Sequence, residues 1–106
     1  LEDPMKFIIL FEDAPQAAPD IRKTFMPAHL DFLEAQAGVI QAAGPLSDAT
    51  GAGQGGLWIV DVPDAAAAEA LVHADPFWPT GLRKSFRILA WRRVYADGKR
   101  RIDPGT

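Results

Sequence analysis

The chain contains no cysteine among its 106 residues. That excludes disulfides, zinc–thiolate sites and a thiol nucleophile, so packing alone must hold the fold. Only two histidines occur, His29 and His73. A metal centre would need both of them plus carboxylates, and no ligand spacing supports one. No apolar run approaches the roughly 20 residues of a membrane span. No basic segment followed by an apolar run marks an N-terminal export signal. A cytoplasmic protein without a membrane partner is the expectation. Leu1-Glu2-Asp3-Pro4 ahead of Met5 reads as an expression-tag remnant. The glycines of Gly51–Gly56 lead into a strand instead of a helix, so they do not form a phosphate cradle. There is no G-x-S-x-G elbow, and neither Ser47 nor Ser85 has a visible base beside it.

Positive charge is also scarce until late in the chain. Residues 1–82 hold 3 Lys/Arg against 12 Asp/Glu, and residues 83–106 hold 8 against 2. A basic end raises the question of nucleic acid. Without interleaved aromatics it reads instead as a solvated strand and tail, and no nucleic-acid partner is expected.

What is present is enough apolar material, 48% of residues, for one domain with an ordinary core. Lys6–Phe11 is a short run of β-formers. Asp20 stands where a helix cap belongs, and helical spacing follows from Ile21 to Ala37. Ile21, Phe25, Ala28, Phe32 and Ala35 share one face, so they are the expected buried stripe. Pro27 should kink or restart this helix, and Gly38 should end it. Residues 39–43 form a second strand closed by Gly44-Pro45. Ser47–Gly56 reads as a long flexible loop, and Leu57–Val62 as the third strand. Asp64 caps an Ala-rich helix that stops near Ala74, because Pro76 pushes Asp75 out of helical geometry. Ser85–Tyr95 is the fourth strand. Residues 5–96 thus read as one domain and 97–106 as a tail.

The order β-α-β-β-α-β is that of the ferredoxin-like α+β fold, with an antiparallel four-stranded sheet and both helices on one face. The strands are apolar on both faces, however. Phe7, Ile9 and Phe11 alternate with Ile8 and Leu10, and Leu57 and Ile59 with Trp58 and Val60. A sheet with one wet face alternates apolar with polar residues. The second apolar face calls for a cover, and the simplest is a second copy, giving a homodimer in which two sheets form an α+β barrel.

Two stretches carry the chemistry: Pro27-Ala28-His29-Leu30 and Ala74-Asp75-Pro76-Phe77. His29 has Phe25, Met26, Phe32 and Leu33 as helical neighbours, so its imidazole lies on or beside the buried stripe. It is either a satisfied structural histidine or a proton carrier. Asp75 is either a helix-ending turn residue or that histidine's partner. A histidine and a carboxylate meeting in an apolar pocket exchange a proton readily. Phe77, Trp78 and Trp58 are either pocket walls for a flat ligand or plain core. Arg87 shares strand parity with Leu89 and Trp91; it would face the dimer interface, as an ion pair or as a guide for an anion. His73 reads as solvated.

At these stretches the chain resembles the YCII-related family of small bacterial proteins, over nearly all of Met5–Tyr95. The resemblance is carried by the opening strand with Glu12-Asp13, by Pro27-Ala28-His29-Leu30, by Ala43-Gly44-Pro45, and by Ala74-Asp75-Pro76-Phe77. It implies a ferredoxin-like fold, a dimeric α+β barrel, and a His–Asp active-site pair at His29 and Asp75. The chain departs from the usual pattern in having Phe25-Met26 where many members carry an arginine, and Gly55-Gly56 where many carry Gly-Ser. Two functions follow as expectations. One is a cofactor-free acid–base enzyme of isomerase or lyase type acting on a small, flat, phenolic or enolic molecule, with Phe77, Trp78, Trp58, Pro45 and Arg87 around the substrate. The other is a non-catalytic homodimer that binds a small ligand.

Overall fold

The computed structural model describes residues 5–102. Four strands, β1 (Lys6–Asp13), β2 (Ile40–Ser47), β3 (Gly53–Val60) and β4 (Arg83–Trp91), form one antiparallel sheet in the order β2-β3-β1-β4. Helices α1 (Ile21–Ala35) and α2 (Ala65–Ala74) complete the βαββαβ order. A single 3-10 turn at Trp78–Thr80 precedes β4. The architecture is the ferredoxin-like α+β arrangement expected from the strand and helix order. It is an open sheet, with no closed barrel among the described residues.

Register explains the core. Ile9 pairs with Trp58 and Ile88, Phe7 with Val60, and Phe11 with Phe86, so these side chains share one face. Ile9, Phe11, Trp58 and Val60 are buried there against Ala68 and Val72 of α2, with Phe32 and Leu33 of α1 packed alongside. Each large side chain buried this way contributes about 1.5–3 kcal/mol. The opposite face carries Ile8, Leu10, Leu57 and Ile59, all half-buried, and Leu89, which is 39% exposed. Both apolar faces expected from the strands are therefore present, and both long helices pack on only one of them.

Several local expectations are corrected. Helix α1 runs through Pro27 as one element. Its buried face is also rotated from the most apolar one. His29 is its single fully buried residue, flanked by half-buried Arg22, Met26, Phe32 and Leu33, whereas Phe25 is 38% exposed and Ala28 and Ala35 face outward. Asp20 occupies the cap position without a side-chain cap bond. By contrast, Asp64 does cap α2, accepting a hydrogen bond from the Ala67 N–H at 2.8 Å. Strand β2 continues through Gly44-Pro45 to Ser47, since proline is tolerated on an edge strand. The supposed long loop shrinks to the turn between Ser47 and Gly53. There the Asp48 carboxylate accepts from the N–H groups of Thr50 and Ala52 and from the Thr50 hydroxyl. Strand β4 is shifted two residues earlier at its start than the apolar run suggested. Within the stretch read as strand end and tail, β5 (Tyr95–Ala96) and β6 (Lys99–Arg100) form a small hairpin about Asp97-Gly98, both at positive φ. No helix among the described residues is long and apolar enough to cross a membrane.

Candidate active site

Helix α2 ends at Ala74 because Asp75 precedes a proline and adopts an extended backbone, φ −67° and ψ 130°. The Asp75 carboxylate then folds back over its own turn, where Oδ1 accepts the Phe77 N–H at 3.1 Å. This local turn aims the carboxylate into the interior, where the residue is 1% exposed. From the opposite side, the inward face of α1 delivers His29. Its Nδ1 lies 2.8 Å from Asp75 Oδ1. The two stretches singled out from sequence, 46 residues apart, thus meet in a buried imidazole–carboxylate pair.

The charge on Asp75 decides the tautomer. Burial alone would push its carboxyl up. The His29 hydrogen bond, the Arg83 guanidinium and the Phe77 N–H outweigh burial and hold it below the ordinary carboxylate range. An ionised carboxylate only accepts, so His29 donates through Nδ1–H. In the neutral ring Nε2 is then the basic nitrogen. Among the described residues no buried side-chain nitrogen or oxygen lacks a hydrogen-bond partner, and the ring bonds only through Nδ1. Nε2 is therefore not sealed in the core, and His29 lines a recess of about 130 Å³.

Arg83 completes the pair from the first position of β4, two residues ahead of the strand start expected from sequence. Counting back from inward-facing Phe86 in twos puts Arg83 on the outer face with Arg87. The ladder instead slips between Glu12 and Asp13, so that Glu12 pairs with Ser85 but Asp13 pairs with Arg83. This bulge inserts Lys84 as an extra residue and turns Arg83 inward. Its Nη1 donates to Asp75 Oδ2 at 2.5 Å, and its guanidinium carbon lies 3.9 Å above the Phe11 ring centre. Burial pulls the guanidinium down, and the adjacent Asp75 charge works against that pull. At the mouth, Arg22 of α1 donates to Asp13 at 2.7 Å. Neither arginine was picked out from sequence. Arg22 lies on the same helical face as Met26 and His29, which is the only prior signal for it.

Of the other residues anticipated around a substrate, Trp58, Phe77 and Pro45 line the recess. The His29 ring sits 4.6 Å from Phe77 and 6.3 Å from Trp58 between ring centres. Trp78 does not reach the recess. It stacks on His73 at 5.1 Å and packs edge-on to Phe86, so His73 is a stacking partner and not merely solvated. Arg87 is exposed on the other face of the sheet, paired in register with Leu10. Among the described residues no group of three or more His, Cys, Asp or Glu side chains gathers as metal ligands.

Among solved structures, the chain is similar to TftG, the 5-chloro-2-hydroxyhydroquinone dehydrochlorinase of Burkholderia phenoliruptrix AC1100, whose structure holds 2,5-dihydroxybenzoquinone. The two are 25% identical with a TM-score of 0.68, over 82% of this chain and 93% of that one. A protein from Agrobacterium tumefaciens shares the fold at 15% identity and a TM-score of 0.54, over 84% of this chain and 92% of its own. One from Thermus thermophilus does so at 10% identity and a TM-score of 0.50, over 88% and 99%. No protein of curated function matches the chain. Residues 5–92 match the YCII-related domain, and the chain therefore belongs to the YCII-related family.

Proposed function

We propose that the protein is an acid–base catalyst of lyase or isomerase type, acting on a small hydroxylated ring or enol, with His29 as proton carrier and Asp75 as its anchor. The observation that carries this reading is the buried 2.8 Å contact between His29 Nδ1 and Asp75 at the edge of an aromatic-walled recess that His29 lines, which leaves Nε2 as the ring nitrogen free for substrate. A cavity of roughly 150 Å³ holds one benzene ring, so about 130 Å³ suits a single ring. The similarity to TftG, whose name and bound quinone describe chemistry on one hydroxylated ring, supports the substrate class.

In this reading Nε2 takes a proton from a substrate O–H, or from a C–H beside a carbonyl. The electron pair of the broken bond stays on the substrate. It either draws a proton back at another carbon, giving an isomer, or expels a leaving group, giving an elimination product. Asp75 stabilises the imidazolium meanwhile, and the imidazolium then returns its proton to product or water. A positioned general base of this kind contributes about 10²–10⁴ in rate. Only protons and electron pairs already on the substrate move, so the reaction as written involves no change of oxidation state that a redox cofactor would have to supply.

The test is turnover across a panel of hydroxylated aromatics and enols. His29→Ala should fold and lose about a hundredfold or more in kcat on any substrate found. A folded His29→Ala that matches the parent would remove His29 from the chemistry. A ring that binds without being turned over would instead favour the second reading, a small-ligand-binding dimer.

The same reading includes a homodimer. Ile8, Leu10, Leu57, Ile59 and Leu89 form one apolar field on the sheet face that α1 and α2 leave open. A second sheet packed on it would bury that field about a two-fold axis, giving the two-sheet barrel.

A further inference from the structure

We infer that the recess binds its substrate as an oxyanion and that Arg83 is the group that holds it, which makes Arg83 the residue that selects ionisable hydroxyl-bearing rings over neutral ones. This rests on the reading of the recess as a ring-binding acid–base site and deepens it. A guanidinium carries five N–H donors. In Arg83, Nη1 is committed to Asp75 Oδ2, while no hydrogen bond occupies Nε or Nη2. No fully buried side-chain nitrogen among the described residues lacks a partner, so Nε and Nη2 are not sealed in the core although the side chain is only 8% exposed. Aromatic rings close in around the guanidinium, with Phe11 at 3.9 Å, Trp58 at 5.3 Å and Phe77 at 5.5 Å from its carbon. The recess, which Arg83 lines together with His29, is where those donors meet a ligand.

Charge balance points the same way. Asp75 alone would repel an anion from the recess, but its charge is matched by Arg83, and that of Asp13 by Arg22. With His29 neutral the four charges sum to zero, so an incoming hydroxyl meets no net repulsion when it ionises. Its proton goes to His29 Nε2, its oxygen keeps the electron pair, and the remaining N–H groups of Arg83 donate to the resulting oxyanion. Charge-assisted bonds of this type are the strong ones, and they are strongest in a walled site such as this. A neutral ring of the same size gains the aromatic contacts but not this interaction.

The test uses the full chain and two probes, 4-nitrophenol, whose anion is yellow, and its methyl ether 4-nitroanisole. The parent should bind the phenol at least tenfold more tightly than the ether, and should hold it as the yellow anion at a pH where the free phenol is largely colourless. Arg83→Lys keeps a cation beside Asp75 but loses the planar fork. It should abolish most of that preference and return the colour change toward that of free phenol, with ether binding little altered. Equal weakening of both probes, or an unchanged colour titration in a folded Arg83→Lys, overturns the assignment while leaving the ring-binding reading intact. Should the variant fail to fold, the parent alone decides: equal affinity for the two probes overturns the assignment. A parent that binds neither probe removes the ring-binding reading, and this inference with it.

Discussion

Asp75 is the hub of the polar groups beneath the recess. It accepts from His29, the Phe77 N–H and Arg83, and it is fully enclosed. Its folded pKa is depressed, so its ionised form contributes stability that is fully present above the unfolded value and is lost as pH falls through the folded value. The acid limb of a stability-versus-pH curve should therefore contain a component that Asp75→Asn removes. The same substitution leaves Arg83 buried without its counter-charge, at a cost of about 3–5 kcal/mol near neutral pH. Denaturant titrations of parent and variant between acid and neutral pH measure both effects. A variant within about 1 kcal/mol of the parent at neutral pH would contradict the charge assignment. Asp75 was legible because Pro76 forces it out of helical geometry, and His29 because it stands beside the apolar residues of α1, although local spacing left each open between a structural and a chemical role. Arg83 was not, because a ladder slip is a property of two strands together and leaves no trace in the alternation of one.

At the scale of elements, the fold places the pair by small irregularities in regular structures. The β4 bulge turns Arg83 inward, Pro76 stops α2, and Gly55 brings β3 close to β1. Gly55 has φ +96°, and a Cβ there would lie 1.8 Å from the Phe11 carbonyl oxygen. Gly55→Ala must adopt a backbone disfavoured for side chains and also displace a central strand. It should lose more than about 2 kcal/mol in a thermal or denaturant melt. A melt unchanged by the substitution would show that the two strands approach differently. Element order and type were readable from periodicity and punctuation. The orientation of α1 was not. Its most apolar stripe includes Phe25 and Ala28, yet the buried side is the one carrying His29, because the Asp75 carboxylate gives an otherwise costly buried imidazole a partner. Gly44-Pro45 suggests a strand end from sequence, whereas Pro45 lies within β2, an edge strand that tolerates proline.

As a whole, the molecule is a thin two-layer slab. Its radius of gyration is 15.4 Å and its extents are 50 × 32 × 20 Å, against about 13 Å for a compact chain of similar length. One layer is helices and the other is a sheet with its outer face apolar. The alternation of two apolar sets along each strand announced that face from sequence, since a strand wetted on one side has no need of them. If a second copy covers it, Ile59→Lys should convert a dimer into a monomer in sedimentation velocity runs without unfolding the chain, because Ile59 faces away from the helices. A parent that sediments as a monomer at high concentration would contradict the dimer.

The central claim is that an ionised, anchored Asp75 fixes the proton of His29 on Nδ1 and leaves Nε2 as the open base. The most direct measurement is ¹⁵N NMR of the histidine ring nitrogens at a pH where the ring is neutral, with His73→Gln used to assign the signals. A protonated-type Nδ1 signal together with an unprotonated-type Nε2 signal from His29 is the result predicted. The reverse tautomer, with the proton on Nε2, would contradict it.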